Sequence, residues 1–227
     1  MKKVAGSLWL LLLAGQAVTA QTSVNNKELI PADHPRILLL RGEEAAIRKT
    51  IESDPIWSKT GSYILNSCDI IIEKPPVERI LTGRRLLDKS REALRRIFYL
   101  SYAWRMTSQK KYLDRAVTEM TAVSSFSDWN PSHFLDVAEM TMAVSIGYDW
   151  LYESLPAVTR DLIRKAIVEK GLEPSLKPEN SGWVNVTHNW NQVCNAGMAY
   201  GALAVWEDEP ELAGSIIKRA INSITLP

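Results

Sequence analysis

The chain has 227 residues, with 27 Lys and Arg against 26 Asp and Glu and a formal net charge of +1. Hydrophobic residues make up 46% and charged residues 23%, which excludes long disorder, a collagen-like chain and a multi-pass membrane protein. The near-neutral balance excludes a strongly basic nucleic-acid binder. The aromatic count is uneven, with Trp 8 and Tyr 7 against Phe 3. Rings with a polar edge suit a binding surface and a core alike.

Residues 1–20 read as a secretory signal. Lys2 and Lys3 form the charged start, residues 8–14 the apolar run, and Val18-Thr19-Ala20 the small residues before a cut at Gln21. The run is too short and wrongly flanked to span a bilayer. The mature protein is then expected in the periplasm or outside the cell, with no membrane attachment. There Cys68 and Cys194 meet an oxidising compartment, and a disulfide or buried free thiols both fit. His34, His133 and His188 are scattered without metal-ligand spacing, so no metal site and no cofactor are expected.

Residues 21–41 read as an extended segment, and helical signals dominate from there. A short helix is expected over 42–53. Asp54 caps a second, with Pro55 at its first position, running towards Glu73. A third spans about 90–106. A fourth covers 110–124, with Tyr112, Leu113, Ala116, Val117 and Met120 on one face. A fifth runs over 132–152 and a sixth over 156–170, stopped by Gly171. Residues 172–187 read as a long loop. The seventh helix covers 188–206, and the eighth starts near Glu209 and reaches about residue 226. No strand pattern has comparable strength.

The helices alternate in character. The sixth carries six charges and a narrow apolar stripe of Val158, Leu162, Ala166 and Ile167, which marks an outer helix with a wet face. The seventh has no charged residue, and the fifth only Asp136, Glu139 and Asp149, which marks burial on most sides. Wet and buried helices in turn imply an all-α fold of stacked helical hairpins, an incomplete (α/α) toroid over 42–227. The eighth helix reads as an outer helix whose inner partner should follow. The chain is therefore expected to be the N-terminal part of a longer protein.

Uncharged hydrogen-bonding groups crowd the start of the seventh helix. His188, Asn191 and Asn195 share one face, with Gln192 beside it. Free N–H groups at a helix start favour an anion, so Asn and His donors there suit a carboxylate; capping and a satisfied polar network are the competing reading. The stretch Asp128-Trp129-Asn130-Pro131-Ser132-His133 leads into the fifth helix, where His133, Asp136 and either Glu139 or Met140 share a face. Asp136 with Glu139 fits an acid–base pair, and a buried anchor equally. Trp129, Trp183 and Trp190 sit near helix starts and fit either sugar stacking or core packing.

Four stretches together resemble the heparinase II/III-like polysaccharide lyases. They are His34-Pro35-Arg36-Ile37-Leu38-Leu39, residues 128–140, Gly147-Tyr148-Asp149-Trp150-Leu151-Tyr152, and Asn189-Trp190-Asn191-Gln192-Val193-Cys194-Asn195-Ala196-Gly197. The resemblance implies an exported bacterial enzyme with an (α/α) toroid followed by an antiparallel β-sandwich, cleaving uronate-containing polysaccharides by β-elimination. In that family an Asn or His neutralises the uronate carboxylate, a Tyr or His removes the C5 proton, and a Tyr protonates the leaving oxygen. His188 and Asn189 match the neutralising position, and Asn191 follows as a substrate contact. Trp190, Trp129, Asn130, His133 and Asp136 are then further substrate-binding candidates.

The family's catalytic Tyr and the β-sandwich lie beyond the last residue of this chain, and Tyr148, Tyr152 and Tyr200 do not match that motif. The expectation is a fragment with the carboxylate-binding half of a site, inactive without the missing C-terminal part, and with an acidic polysaccharide as its partner. Two alternatives stand beside it. One is an (α/α)-barrel glycoside hydrolase using Asp136 or Asp149. The other is a non-catalytic exported module that binds glycans through its tryptophans.

Overall fold

The computed structural model describes residues 33–227. The signal read over residues 1–20, and the extended segment as far as residue 32, lie outside the described residues. Among the described residues the fold is all-α: eight α-helices and several short 3-10 turns, with no strand beyond one isolated bridge between Thr82 and Arg85. Helix α1 spans Glu44–Ser53 and α2 Pro55–Ile72. Asp54 ends the first and caps the second: its carboxylate accepts from the backbone N–H groups of Ile56 (2.8 Å) and Trp57 (3.1 Å), and Pro55 starts the helix. Helix α3 spans Leu87–Thr107 and α4 Lys110–Ser124. Helix α5 spans Phe134–Leu151, α6 Ala157–Ala166, α7 Asn189–Ala204 and α8 Pro210–Ser223.

Two layers form. Helices α3, α5 and α7 lie side by side, α4 and α6 cover α3 and α5, and α8 covers α7; α1 and α2 pack on each other and on α3. Every residue of α5 except Glu139 and Met142 is buried, which explains its lack of amphipathic alternation. Gly197 faces Ala138 and Gly201 faces Thr141, so α5 and α7 run in the same direction. A Cβ at Gly197 would lie 2.3 Å from the Ala138 carbonyl oxygen, so only glycine allows this backbone-to-backbone approach.

The link between α2 and α3 is held by buried charge. Glu119 of α4 is fully buried and accepts from Arg96 (2.7 Å), Arg115 (2.7 Å) and the Val77 N–H (2.9 Å). Each of its charges is thus paired and hydrogen-bonded, as burial demands. At the other end of the chain, the stretch containing His34 and the stretch ending α5 meet directly. The Asp149 carboxylate accepts from the Arg36 and Ile37 N–H groups (3.0 and 2.9 Å) and faces His34 Nδ1 at 2.6 Å. The Trp150 indole donates to the Ile37 carbonyl (2.7 Å).

Several sequence expectations need correcting. The apolar stripe of α6 is rotated: Val158 is 79% exposed and Leu162 is also exposed, while Ile163, Ala166 and Ile167 are buried. Residues 163, 166 and 167 keep the same three- and four-residue spacing, and Ile163 supplies the bulky contact. Helix α6 does not continue regularly to residue 170; a π-helical turn over Ile167–Leu172 replaces its end. Residues 173–185 are not an open loop but a run of 3-10 turns that buries Ser175 and Trp183. Helix α7 is not enclosed: Asn189, Gln192 and Ala196 form an exposed stripe. Of the two readings open for Cys68 and Cys194, the buried free thiols hold, and burial pushes the pKa of each up to about 12.

Candidate functional site

The candidate residues gather where α5 and α7 begin. Trp129 leaves the set first. It is fully buried, and its indole donates to the Val123 carbonyl (2.9 Å), so neither ring face is open to a sugar. Asn130 is buried with φ 63, a left-handed conformation that Asn tolerates better than most residues. Its amide donates to the Arg84 carbonyl (2.8 Å) and to Asp136 (2.6 Å), so it builds the turn before α5 rather than facing a substrate.

Asp136 lies in the first turn of α5 and is fully buried. One oxygen accepts from the Leu86 N–H (2.6 Å) and from Asn130. The other faces His133 Nδ1 at 2.6 Å. The anchor reading therefore describes Asp136, and it does not pair with Glu139. Glu139 instead takes a two-pronged bond from Arg91 of α3 (2.9 and 3.1 Å). His133 is half-buried. Its ring meets Trp190 edge-on, with centroids 5.0 Å apart at 77°, and its Nε2 has no partner among the described residues.

At the start of α7 the polar residues divide. His188 is the exposed N-cap, its Nδ1 accepting from the Trp190 N–H at 3.4 Å. Asn189 is exposed, and its side chain has no partner among the described residues. Asn191 is fully buried. Its amide donates to the Ser223 hydroxyl (2.8 Å) and carbonyl (3.1 Å) and to the Val184 carbonyl (3.1 Å). Asn195 donates to Asn191 (3.1 Å) and Ser223 (2.8 Å), and the Ser223 hydroxyl donates to Val184 (2.6 Å). This network clamps α7 to α8 and to the preceding turn, so Asn191 and Asn195 are structural and Asn191 is withdrawn as a substrate contact.

Beside this start lies a groove of about 400 Å³ walled by Phe134, Trp183, His188 and Trp190, with Glu179 and Asn180 at its edge. Trp183 is a buried wall, stacked on Phe134 at 5.4 Å, with the Arg219 guanidinium over its ring at 5.0 Å. Trp190 is the partly open indole of the three that the sequence singles out. Glu179 and Asn180 were not legible in the sequence, because residues 172–187 show no periodicity that would place them. The groove, the exposed donors of His188 and Asn189, and the His133 ring thus form one polar, aromatic end of the α5–α7 pair.

No model of a known protein family matches the chain, and no curated protein matches it.

Proposed function

We propose that this chain is the helical part of an exported polysaccharide lyase that cleaves uronate-containing glycans by β-elimination, with its two helix layers forming an arc of an (α/α) toroid. The observation that carries the reading is the contrast at the start of α7. The Asn191 and Asn195 amide N–H groups are bonded within the fold, whereas His188 and Asn189 stay exposed beside a partly open indole. Exposed neutral donors at a helix start suit a carboxylate, and a half-open Trp suits a sugar face.

The chemistry fits these groups. A uronate C5 proton is weakly acidic until its carboxylate is neutralised, because the charge that develops on deprotonation flows into that carboxylate. His188 and Asn189 would supply the neutralising donors, and Trp190 would orient the ring. The hydrolase alternative loses its carboxylates: Asp136 and Asp149 are both buried and saturated by donors, leaving neither placed for acid–base work on a glycosidic oxygen.

The test is a panel of uronate polysaccharides incubated with the whole lyase proposed here and followed in the ultraviolet. A lyase raises absorbance in the unsaturated-uronate band. Reducing ends without that chromophore would mark a hydrolase, and binding without cleavage a glycan-binding module. Among the described residues no helix is long and apolar enough to cross a membrane.

A further inference from the structure

We propose that Lys218, Arg219 and Asn222 of α8, with Asn185 beside them, form a binding site for an oxyanion, separate from the groove at the start of α7. These side chains and Ser215 line a surface depression of about 550 Å³ with no acidic residue in its walls among the described residues. The groove and this depression share no wall residue. Ser215, Lys218, Arg219 and Asn222 recur at the three- and four-residue spacing that puts them on one face of α8. Asn185 closes the 3-10 turn Gly182–Asn185, which packs on that helix.

Arg219 is the built part of the site. Its guanidinium donates to the Ser175 carbonyl (2.7 Å) and hydroxyl (2.9 Å) and lies over the Trp183 ring. Those contacts fix its position without neutralising its charge. Its Nε–H is buried with no partner among the described residues. Enclosed charges are normally paired, and Arg96, also enclosed, meets Glu92 and Glu119. Burial lowers the pKa of Arg219, and no carboxylate offsets that effect. Lys218, exposed and adjacent, brings a second positive charge to the same depression.

The usual helix-stabilising roles do not account for this pair. Cations are favoured in the last turn of a helix, and α8 carries none there. An ion pair along the helix needs a carboxylate three or four positions away, and the one carboxylate of α8, Glu211, lies two turns before Lys218. Two positive charges ringed by amide and hydroxyl donors suit a compact group with oxygens on several sides. Sulfate, phosphate and carboxylate share that chemistry, whether as a free ion or as a substituent of an acidic glycan.

The test uses the whole protein. Sodium sulfate and sodium phosphate are titrated at an ionic strength held constant with chloride, and binding heat and melting temperature are followed. Heparin and polygalacturonate oligosaccharides form separate arms in the Asn189→Ala background, with maltohexaose as the neutral control. The proposal expects saturable binding of an oxyanion that K218E abolishes. It expects K218Q and N222A each to weaken binding about fivefold, with the melting temperature of the free protein unchanged. Tighter binding of the free ions supports an ion site, and tighter binding of an acidic oligosaccharide supports a glycan contact. A rise in melting temperature that never saturates and persists in K218E is a general salt effect and overturns the proposal. Binding lost in N189A but kept in K218E places the anion at α7 and also overturns it, as does the absence of any oxyanion binding. The lyase reading stands or falls on the ultraviolet assay instead.

Discussion

Asn189 and Asn191 lie two positions apart, and the fold treats them in opposite ways. Asn191 is enclosed and shares Ser223 with Asn195, so Asn191→Ala strips partners from buried groups. Its expected cost is about 1–3 kcal/mol in a denaturant titration. Asn189 touches nothing that holds the fold, so Asn189→Ala should leave that titration unchanged. Residue type alone could not separate the two. Both fit a polar helix start, and only the position of Ser223, 32 residues further on, decides which is consumed. The His34 cluster makes a second residue-scale prediction. Burial opposes charge on this ring, but the bonds to Asp149 and Glu207 outweigh burial and the nearby Arg36 and raise its pKa above the usual 6.5. Burial likewise opposes charge on Glu207, yet the bond to His34 leaves its carboxyl below the ordinary range. The stability that His34 lends is complete below about pH 6.5 and is lost as pH rises through its raised value. The Glu207 contribution has the opposite sense and is lost as pH falls through its lowered value. Melting temperature should therefore decline on the alkaline side in the wild type, and His34→Asn should flatten that decline.

Helix positions were legible because their signals are local. Asp54-Pro55 sets the start of α2, and the apolar face of α4 shows in Tyr112, Ala116 and Met120. The misread features depend on neighbours. In α6, Ile163 is buried where Val158 and Leu162 were expected, while Ala166 and Ile167 are buried as expected. Helix α3 begins at Leu87 rather than Ser90 because a carboxylate 50 positions away takes the Leu86 N–H. The turns over 173–185 have no period to read, yet they bury Trp183. The glycines of α7 are similar: one sits where α5 and α7 touch backbone to backbone. Gly197→Ala should force those helices apart. The expected loss is about 1–3 kcal/mol, above the small gain that alanine brings to helix propensity, and thermal unfolding would show it.

Across the whole molecule, the two layers place the beginnings of α5 and α7 at one end, and the polar candidates collect there. Two of the stretches that carry the family resemblance, around His34 and Asp149, meet at the other end of α5, where they serve the architecture. The remaining two meet through His133 and Trp190. The all-α class was thus open to sequence reading. Which of the polar candidates the fold encloses was not, because Trp129, Asn130 and Asn191 take their partners from elsewhere in the chain. The central claim is that the exposed donors at the start of α7 serve uronate β-elimination. The most direct measurement is ultraviolet absorbance of the unsaturated uronate when the whole lyase of which this chain is proposed to be the helical part, and its Asn189→Ala variant, meet the polysaccharide panel. The account predicts a rise with the wild type that falls at least about 10²-fold in the variant, with equal melting temperatures. Reducing ends released without the chromophore, or a variant as active as the wild type, would contradict it.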